Sequence, residues 1–403
     1  MGVHDLSTAH RIAHELVGNS TLFEFNISHN QLVIEEDFPR ALRDNSTLAV
    51  LKLGGNFISL SGLSGFVTLL GRNTTLTELD LSSTIPEVNF VRQVVPDFIR
   101  GSGEERDRAM GALSLVLTEN STLTKLSLDS YEFGSAVTEQ LGLALRVNSG
   151  LRELSLRRNC IRDAEMTPLT SALHVNTVLM RLDLGENFLS NTCVELLGRA
   201  LQGNTTLTEL RVNQQIYDPL RPNITDEGAG LLALALTRNT TLQALFLGWN
   251  RIGDIGVRQL TAALACHPSL SRLDLSRCLN LEPASVTAIG DMLVNHSVLT
   301  ELNLDRSTYA GDMGEIGGQL ATNAGLLARN RTNMLLRGKS LFGALMEGFE
   351  NRVFESYTQE EKARVYFQIW QLTDTASNDP QFGEHNIYVV DRSVFLRAIA
   401  NAG

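Results

Sequence analysis

The chain has 403 residues, 43% of them hydrophobic and 20% charged, with a formal net charge of −11. That is ample apolar material for a folded core, and the acidic balance disfavours nucleic acid or an anionic membrane as the main partner, because both reward a basic surface. No apolar run reaches the ~18 residues of a membrane span, and the polar start Met1 to His14 lacks the apolar middle of a cleaved signal, so the chain reads as cytoplasmic. Cys160, Cys193, Cys266 and Cys278 are scattered without a C-x-x-C pair and read as reduced thiols.

In chain order, Leu6, Ile12, Ala13, Leu16 and Val17 fall at helical spacing and predict a capping helix within residues 1–18. From Asn19 the phrase Asn-Ser/Thr-Thr-Leu-x-x-Leu-x-Leu begins. It returns at Asn45, Asn73, Asn120, Asn148, Asn176, Asn204, Asn239, His267 and His296, with a common step of 28 residues, so about ten units occupy residues 19–330. In the unit from Leu151, the residues Leu154, Leu156 and Ile161 alternate with Arg152, Glu153, Ser155 and Arg157, which predicts a strand with one buried face. Eight residues after the first leucine stand Asn30, Asn56, Asn159, Asn187 and Asn250, at the turn leaving the strand; their amides satisfy backbone groups that no strand reaches. Thr84, Tyr131, Gln215, Cys278 and Ser307 replace them in the other units. Each strand is followed by a helical stretch such as Asp254 to Cys266, with Ile255, Leu260, Ala263 and Leu264 on one side.

The expected fold class is therefore α/β, a solenoid of strand-and-helix coils. Parallel strands stack about 4.8 Å apart and helices about 8–10 Å apart, so the array bends with the strands on its concave face. The period and the Leu-x-x-Leu-x-Leu wording resemble the leucine-rich repeat proteins of the ribonuclease-inhibitor-like class, with Gly-Ala/Val near the helix start as in Asp226 to Ala229 and Asp254 to Val257. The resemblance covers roughly residues 1 to 330. It implies a horseshoe whose inner sheet binds another protein, without a cofactor. The wording of Asn73 to Leu81 and Asn204 to Val212 is also similar to leucine-rich repeat effectors of intracellular bacteria such as Legionella, and to NOD-like receptor repeats. That likeness implies an effector secreted into a host cytosol. The Ran GTPase-activating proteins share the repeat class and supply the alternative, a GTPase regulator; an innate-immune sensor repeat is another.

Two insertions interrupt the array. The first, near 86–105, carries Pro86, Pro96, Gly101, Gly103 and the charged run Glu104 to Arg108, and is expected as a loop; the second, near 214–222, places Tyr217 at a strand exit. A shorter irregularity falls around Leu279 to Leu281. Beyond the array, residues 331–403 are expected to form a mostly helical cap or extension, with Phe342, Leu345, Met346, Phe349 and Val353 on one stripe. The ten N-x-S/T matches fall mostly on the repeat phrase and read as structural, the Asn taking a left-handed cap at the helix end.

Equivalent positions of successive units lie side by side in a parallel stack. The column before the second leucine reads Glu24, Val50, Glu78, Lys125, Glu153, Arg181, Glu209, Ala244, Arg272, Glu301, so the sign alternates from Glu78 to Glu209 and predicts a self-neutralising ladder, with Asp183 and Arg211 pairing in the next column. The ladder stops at Ala244, where Phe246 and Trp249 stand among polar neighbours. A protein-binding site is expected there, centred on Phe246 and Trp249, flanked by Tyr217 and rimmed by Arg211, Arg272 and Arg277. No phosphate loop, His-Glu-x-x-His or Gly-x-Ser-x-Gly appears, so neither an enzyme nor a metal site is expected.

Overall fold

The computed structural model describes residues 6–82, 103–132, 134–215, 223–279, 281–296 and 298–304, with 307, 323 and 325–328. Tyr217, most of both insertions and the expected cap at 331–403 lie outside the described residues. The chain divides into two compact units, Met1–Asn250 and Arg251–Gly403.

The first unit opens with helix α1 (Leu6–Leu16), which buries Ala13 and Leu16 as the helical spacing predicts, together with Ala9; the expectation is corrected at Val17, which follows the last residue of the helix and is exposed. Its strands are β1 (Glu24–Asn26), β2 (Val33–Ile34), β3 (Val50–Lys52), β4 (Phe57–Ile58), β5 (Glu78–Asp80), β6 (Lys125–Ser127), β7 (Glu153–Ser155), β8 (Arg181–Asp183), β9 (Glu209–Arg211) and β10 (Ala244–Phe246). They alternate with α2 (Asp37–Ala41), α3 (Leu60–Leu70), α4 (Gly103–Val116), α5 (Ser135–Leu145), α6 (Asp163–Val175), α7 (Asn191–Gly203) and α8 (Asp226–Leu236). The main sheet here runs β1-β3-β5-β6-β7-β8-β9-β10, every neighbouring pair parallel, while β2 and β4 pair separately. The second unit holds α9 (Asp254–Leu264), β11 (Arg272–Asp274), α10 (Pro283–Asn295) and β12 (Glu301–Asn303), with β11 and β12 parallel.

The register is the one the repeat dictates. Leu51, Leu79, Leu126, Leu154, Leu182, Leu210 and Leu245 occupy one column, each at most 2% exposed. A second buried column follows two residues on, at Leu53, Leu81, Leu128, Leu156, Leu184, Val212 and Leu247. Strands of three residues cannot stand alone; they persist because each leucine is sandwiched between its equivalents, at about 1.5–3 kcal/mol per buried side chain.

Two amide ladders tie coil to coil. At the helix end, Asn204 donates through Nδ2 to Leu173 O (2.7 Å) and accepts through Oδ1 from the Leu207 amide (2.7 Å). Asn120, Asn148, Asn176 and Asn239 repeat this pattern, Asn73 donates instead to Asn45 O while accepting from the Leu76 amide, and all five are buried, so their N-x-S/T or related phrases are structural devices. The expected left-handed cap is corrected: Asn176 (φ −72°, ψ 129°) and Asn204 (φ −80°, ψ 128°) are extended, since that backbone aims the amide across to the previous coil. In His267 and His296, Nδ1 takes over the acceptor role toward the Leu270 and Leu299 amides (3.1 and 3.0 Å).

The second ladder follows each strand. Asn187 accepts from the Asn159 and Ile161 amides (2.9 and 3.1 Å) and donates to the Leu156 and Leu184 carbonyls (3.0 and 2.9 Å). Gln215 reproduces it with its longer amide, taking the Leu189 N–H at 3.0 Å. Tyr131 instead sends its hydroxyl to Leu81 O at 2.6 Å. The charged run at Glu104 is also corrected: it opens α4 rather than lying in a loop, with Glu104 and Glu105 in the first turn where the helix dipole favours anions. The extra chain length of that interval therefore falls within 83–102, outside the described residues.

Candidate functional site

One face of the sheet is covered by helices. The other is lined by the polar columns, which at β9 and β10 carry Glu209, Arg211 and Phe246. Glu209, only 8% exposed, accepts a hydrogen bond at 2.7 Å from Nε of Arg211, two residues along the same strand. Register sets Arg211 beside Phe246, and its guanidinium carbon lies 4.0 Å from the ring centroid, a cation–π stack. The buried carboxylate thus fixes one edge of the guanidinium and the ring fixes its plane. Among the described residues, no hydrogen bond is formed by either Nη group of Arg211, which leaves a two-pronged donor at the face.

The expected pairing of Arg211 with Asp183 is replaced by this arrangement. Asp183 turns to the Gly185 amide at 2.8 Å, and Arg211 acts on it at longer range. The rest of the charge ladder pairs backward along the sheet: Lys125 to Glu78 at 3.1 Å, and Arg181 to Glu153. Lys52 adds a bond to Glu24 at 2.9 Å. Self-neutralisation therefore holds from Glu24 to Arg181, and Arg211 is diverted onto an aromatic ring.

Trp249 stands three residues beyond Phe246 with φ +62° and is 37% exposed. The left-handed backbone belongs to a column: His29, Gly55, Ser130, Arg158, Glu186, Gln214, Trp249 and Arg277 all have positive φ. A bulky residue there is strained in isolation. Recurrence in unit after unit shows that the turn out of the strand demands the conformation, so at Trp249 it reflects the coil and not a local distortion. At Gly55 both reasons for glycine coincide, since φ is +78° and an added Cβ would lie 2.3 Å from His29 Nδ1.

The expected site residues are thus divided. Arg211 and Phe246 are brought into contact, with Trp249 beyond them at the following turn; Arg272, in register with Glu301, and Arg277, at φ +63°, stand in the second unit.

Three features of this face were not anticipated. Arg157 bonds Glu186 and lies 3.3 Å from Gln214 Oε1, while Arg158 Nε approaches Glu186 Oε2 at 3.3 Å, so one carboxylate holds two guanidinium groups. Asp129 accepts from Ser155 Oγ at 2.6 Å and from the Arg157 amide at 3.0 Å, yet burial, aided by the charges of Asp183 and Asp80, pushes its carboxyl up to about 6. Burial raises Asp183 as well. The polar residue after the third leucine of the unit was the available signal for Asp129; nothing in the spacing distinguished its burial. No helix among the described residues is long and apolar enough to cross a membrane.

A human protein, "NACHT, LRR and PYD domains-containing protein 13", is 39% identical over 82 residues, 20% of this chain and 8% of that protein. This chain therefore matches less than a tenth of that relative's length. Among solved structures, a Listeria monocytogenes internalin aligns with 76% of this chain and 86% of its own (TM-score 0.39, 18% identity). The actin-binding site 2 of leiomodin-1 aligns with 45% of this chain and 95% of its own (TM-score 0.35, 18% identity). The Leucine Rich repeat family model matches residues 72–84 and 238–260, and with strands in parallel register and helices between them the fold is that of a leucine-rich repeat solenoid.

Proposed function

We propose that this chain is a protein-binding scaffold whose open sheet face grips a partner around Arg211, Phe246 and Trp249. The observation that carries the reading is the Arg211–Phe246 stack at 4.0 Å, held by the nearly buried Glu209, beside an exposed tryptophan. An oriented guanidinium presents a planar fork suited to a carboxylate or a backbone carbonyl, and aromatic and arginine side chains carry much of the energy in protein interfaces. Glu209 keeps the guanidinium placed before the partner arrives, which reduces the ordering cost of association. The charge ladder toward the amino-terminal end is already satisfied among its own members and offers a partner less. The likeness of the repeat wording to effectors of intracellular bacteria makes host cytosolic proteins the first set to test.

The test is capture from a eukaryotic cytosol followed by titration of the purified partner. Replacing Phe246 by Ala and Trp249 by Gly in one variant is expected to weaken binding by about thirtyfold or more, the loss of roughly 2 kcal/mol typical of a central anchor. Undiminished affinity in a variant with unchanged thermal stability would remove the site.

A further inference from the structure

A cluster at the amino-terminal end of the first unit lies away from the proposed partner site. His10 on α1, Glu35 before α2 and Asp37 at the start of α2 each offer one ligand atom, and these three atoms lie within 4.8 Å of one another. His10 Nδ1 and Asp37 Oδ2 are 3.2 Å apart. A zinc ion sits about 2.0–2.2 Å from nitrogen and carboxylate donors, which in a tetrahedron places donors roughly 3.3 Å apart. The His10–Asp37 pair already has that separation, and the Glu35 oxygen, within 4.8 Å of both, completes a triangular face on closing in by about 1.5 Å or less.

We propose that His10, Glu35 and Asp37 bind one divalent transition-metal ion, with zinc the best match, leaving the remaining position to water. The donor set decides the class. Magnesium and calcium take oxygen ligands alone, whereas an imidazole beside carboxylates suits zinc and its first-row neighbours. Two carboxylates also supply the charge that a dication neutralises. The ligands come from separate elements: His10 belongs to the helix that buries Ala9, Ala13 and Leu16, while Glu35 and Asp37 flank the entry to α2 of the first coil. The ion would therefore pin α1 onto the coil that carries α2.

The competing arrangement is a plain ion pair between a protonated His10 and Asp37, which needs no metal. Untagged full-length chain is titrated with zinc chloride, alongside His10→Gln and Glu35→Gln, and the same three proteins are loaded with cobalt(II). One zinc equivalent should disappear, or weaken by about tenfold or more, in either variant. The cobalt complex assigned to this site should show visible d–d bands without a thiolate charge-transfer band, separating it from binding at the cysteines. Zinc should also slow amide exchange across residues 6–16 in the unaltered chain and not in His10→Gln. Equal zinc stoichiometry and affinity in all three proteins would overturn the proposal. Should His10→Gln loosen α1 even without metal, Glu35→Gln decides the matter, because Glu35 lies outside α1 and the His10–Asp37 ion pair stays in place.

Discussion

Trp249 shows how much a single side chain owes to the backbone beneath it. Its φ of +62° is a conformation in which glycine is at ease and a tryptophan is not. Trp249→Gly is therefore expected to leave stability unchanged or raise it by up to about 1 kcal/mol in chemical denaturation, even while it abolishes the proposed partner contact. A loss of more than that would mean the indole packs structurally. Asp129 makes a second case. Its carboxyl is raised from 3.8 to about 6, so the folded state prefers it protonated; the stability it contributes is complete below pH 3.8 and is lost as the pH rises through 6. Asp129→Asn keeps an acceptor for Ser155 Oγ and the Arg157 amide. It should raise the melting temperature at pH 7.5, and that gain should shrink toward zero near pH 4.

Single strands and turns depend on the amide ladders. Asn187 is fully buried, and its side chain joins the turns of two successive coils. Asn187→Ala strands buried N–H and carbonyl groups together, and a cost of about 3 kcal/mol or more is expected in urea unfolding. Where histidine stands in for Asn at the helix end, the ladder becomes sensitive to acid. Burial, with the neighbouring His267, lowers His296 below its ordinary 6.5, and its Nδ1 must stay unprotonated to accept from the Leu299 amide. A group whose folded form resists protonation supports folding at higher pH; its contribution begins to fall as the pH drops through 6.5, where the unfolded chain takes up a proton. Melting of the second unit should consequently shift down between pH 7.5 and 5.5, and His296→Asn should flatten that dependence.

Across the first unit, each coil packs against its sequence neighbours and the leucine columns run through all of them, so stability is a sum of nearest-neighbour terms. Leu154→Ala removes one rung at 2% exposure and should cost about 2–5 kcal/mol. Its effect on amide exchange should concentrate in residues 123–187, the mutated coil and its two neighbours; an even loss from Leu6 to Asn250 would contradict a one-dimensional stack. The period, the burial of the leucines, the parallel register and the membership of the charge columns were all legible beforehand, because a constant step leaves each residue one equivalent neighbour. What escaped was what happens within a column. The diversion of Arg211 from Asp183 onto Phe246, the left-handed turn at positions as different as Ser130, Glu186 and Trp249, and the extended Asn caps carry no distinguishing composition.

Repetition encodes translation along the array, so linear order alone was enough to assign which leucines are buried and which of the repeat strands pair. It says nothing about how side chains on the exposed face choose among several partners within reach, because that choice depends on burial and angle: Arg211 bonds Glu209 on its own strand and stacks on Phe246 of the next. The same holds for His10, Glu35 and Asp37, which are distant in the chain and meet because α1 folds back over the first coil, a juxtaposition set by packing rather than by spacing.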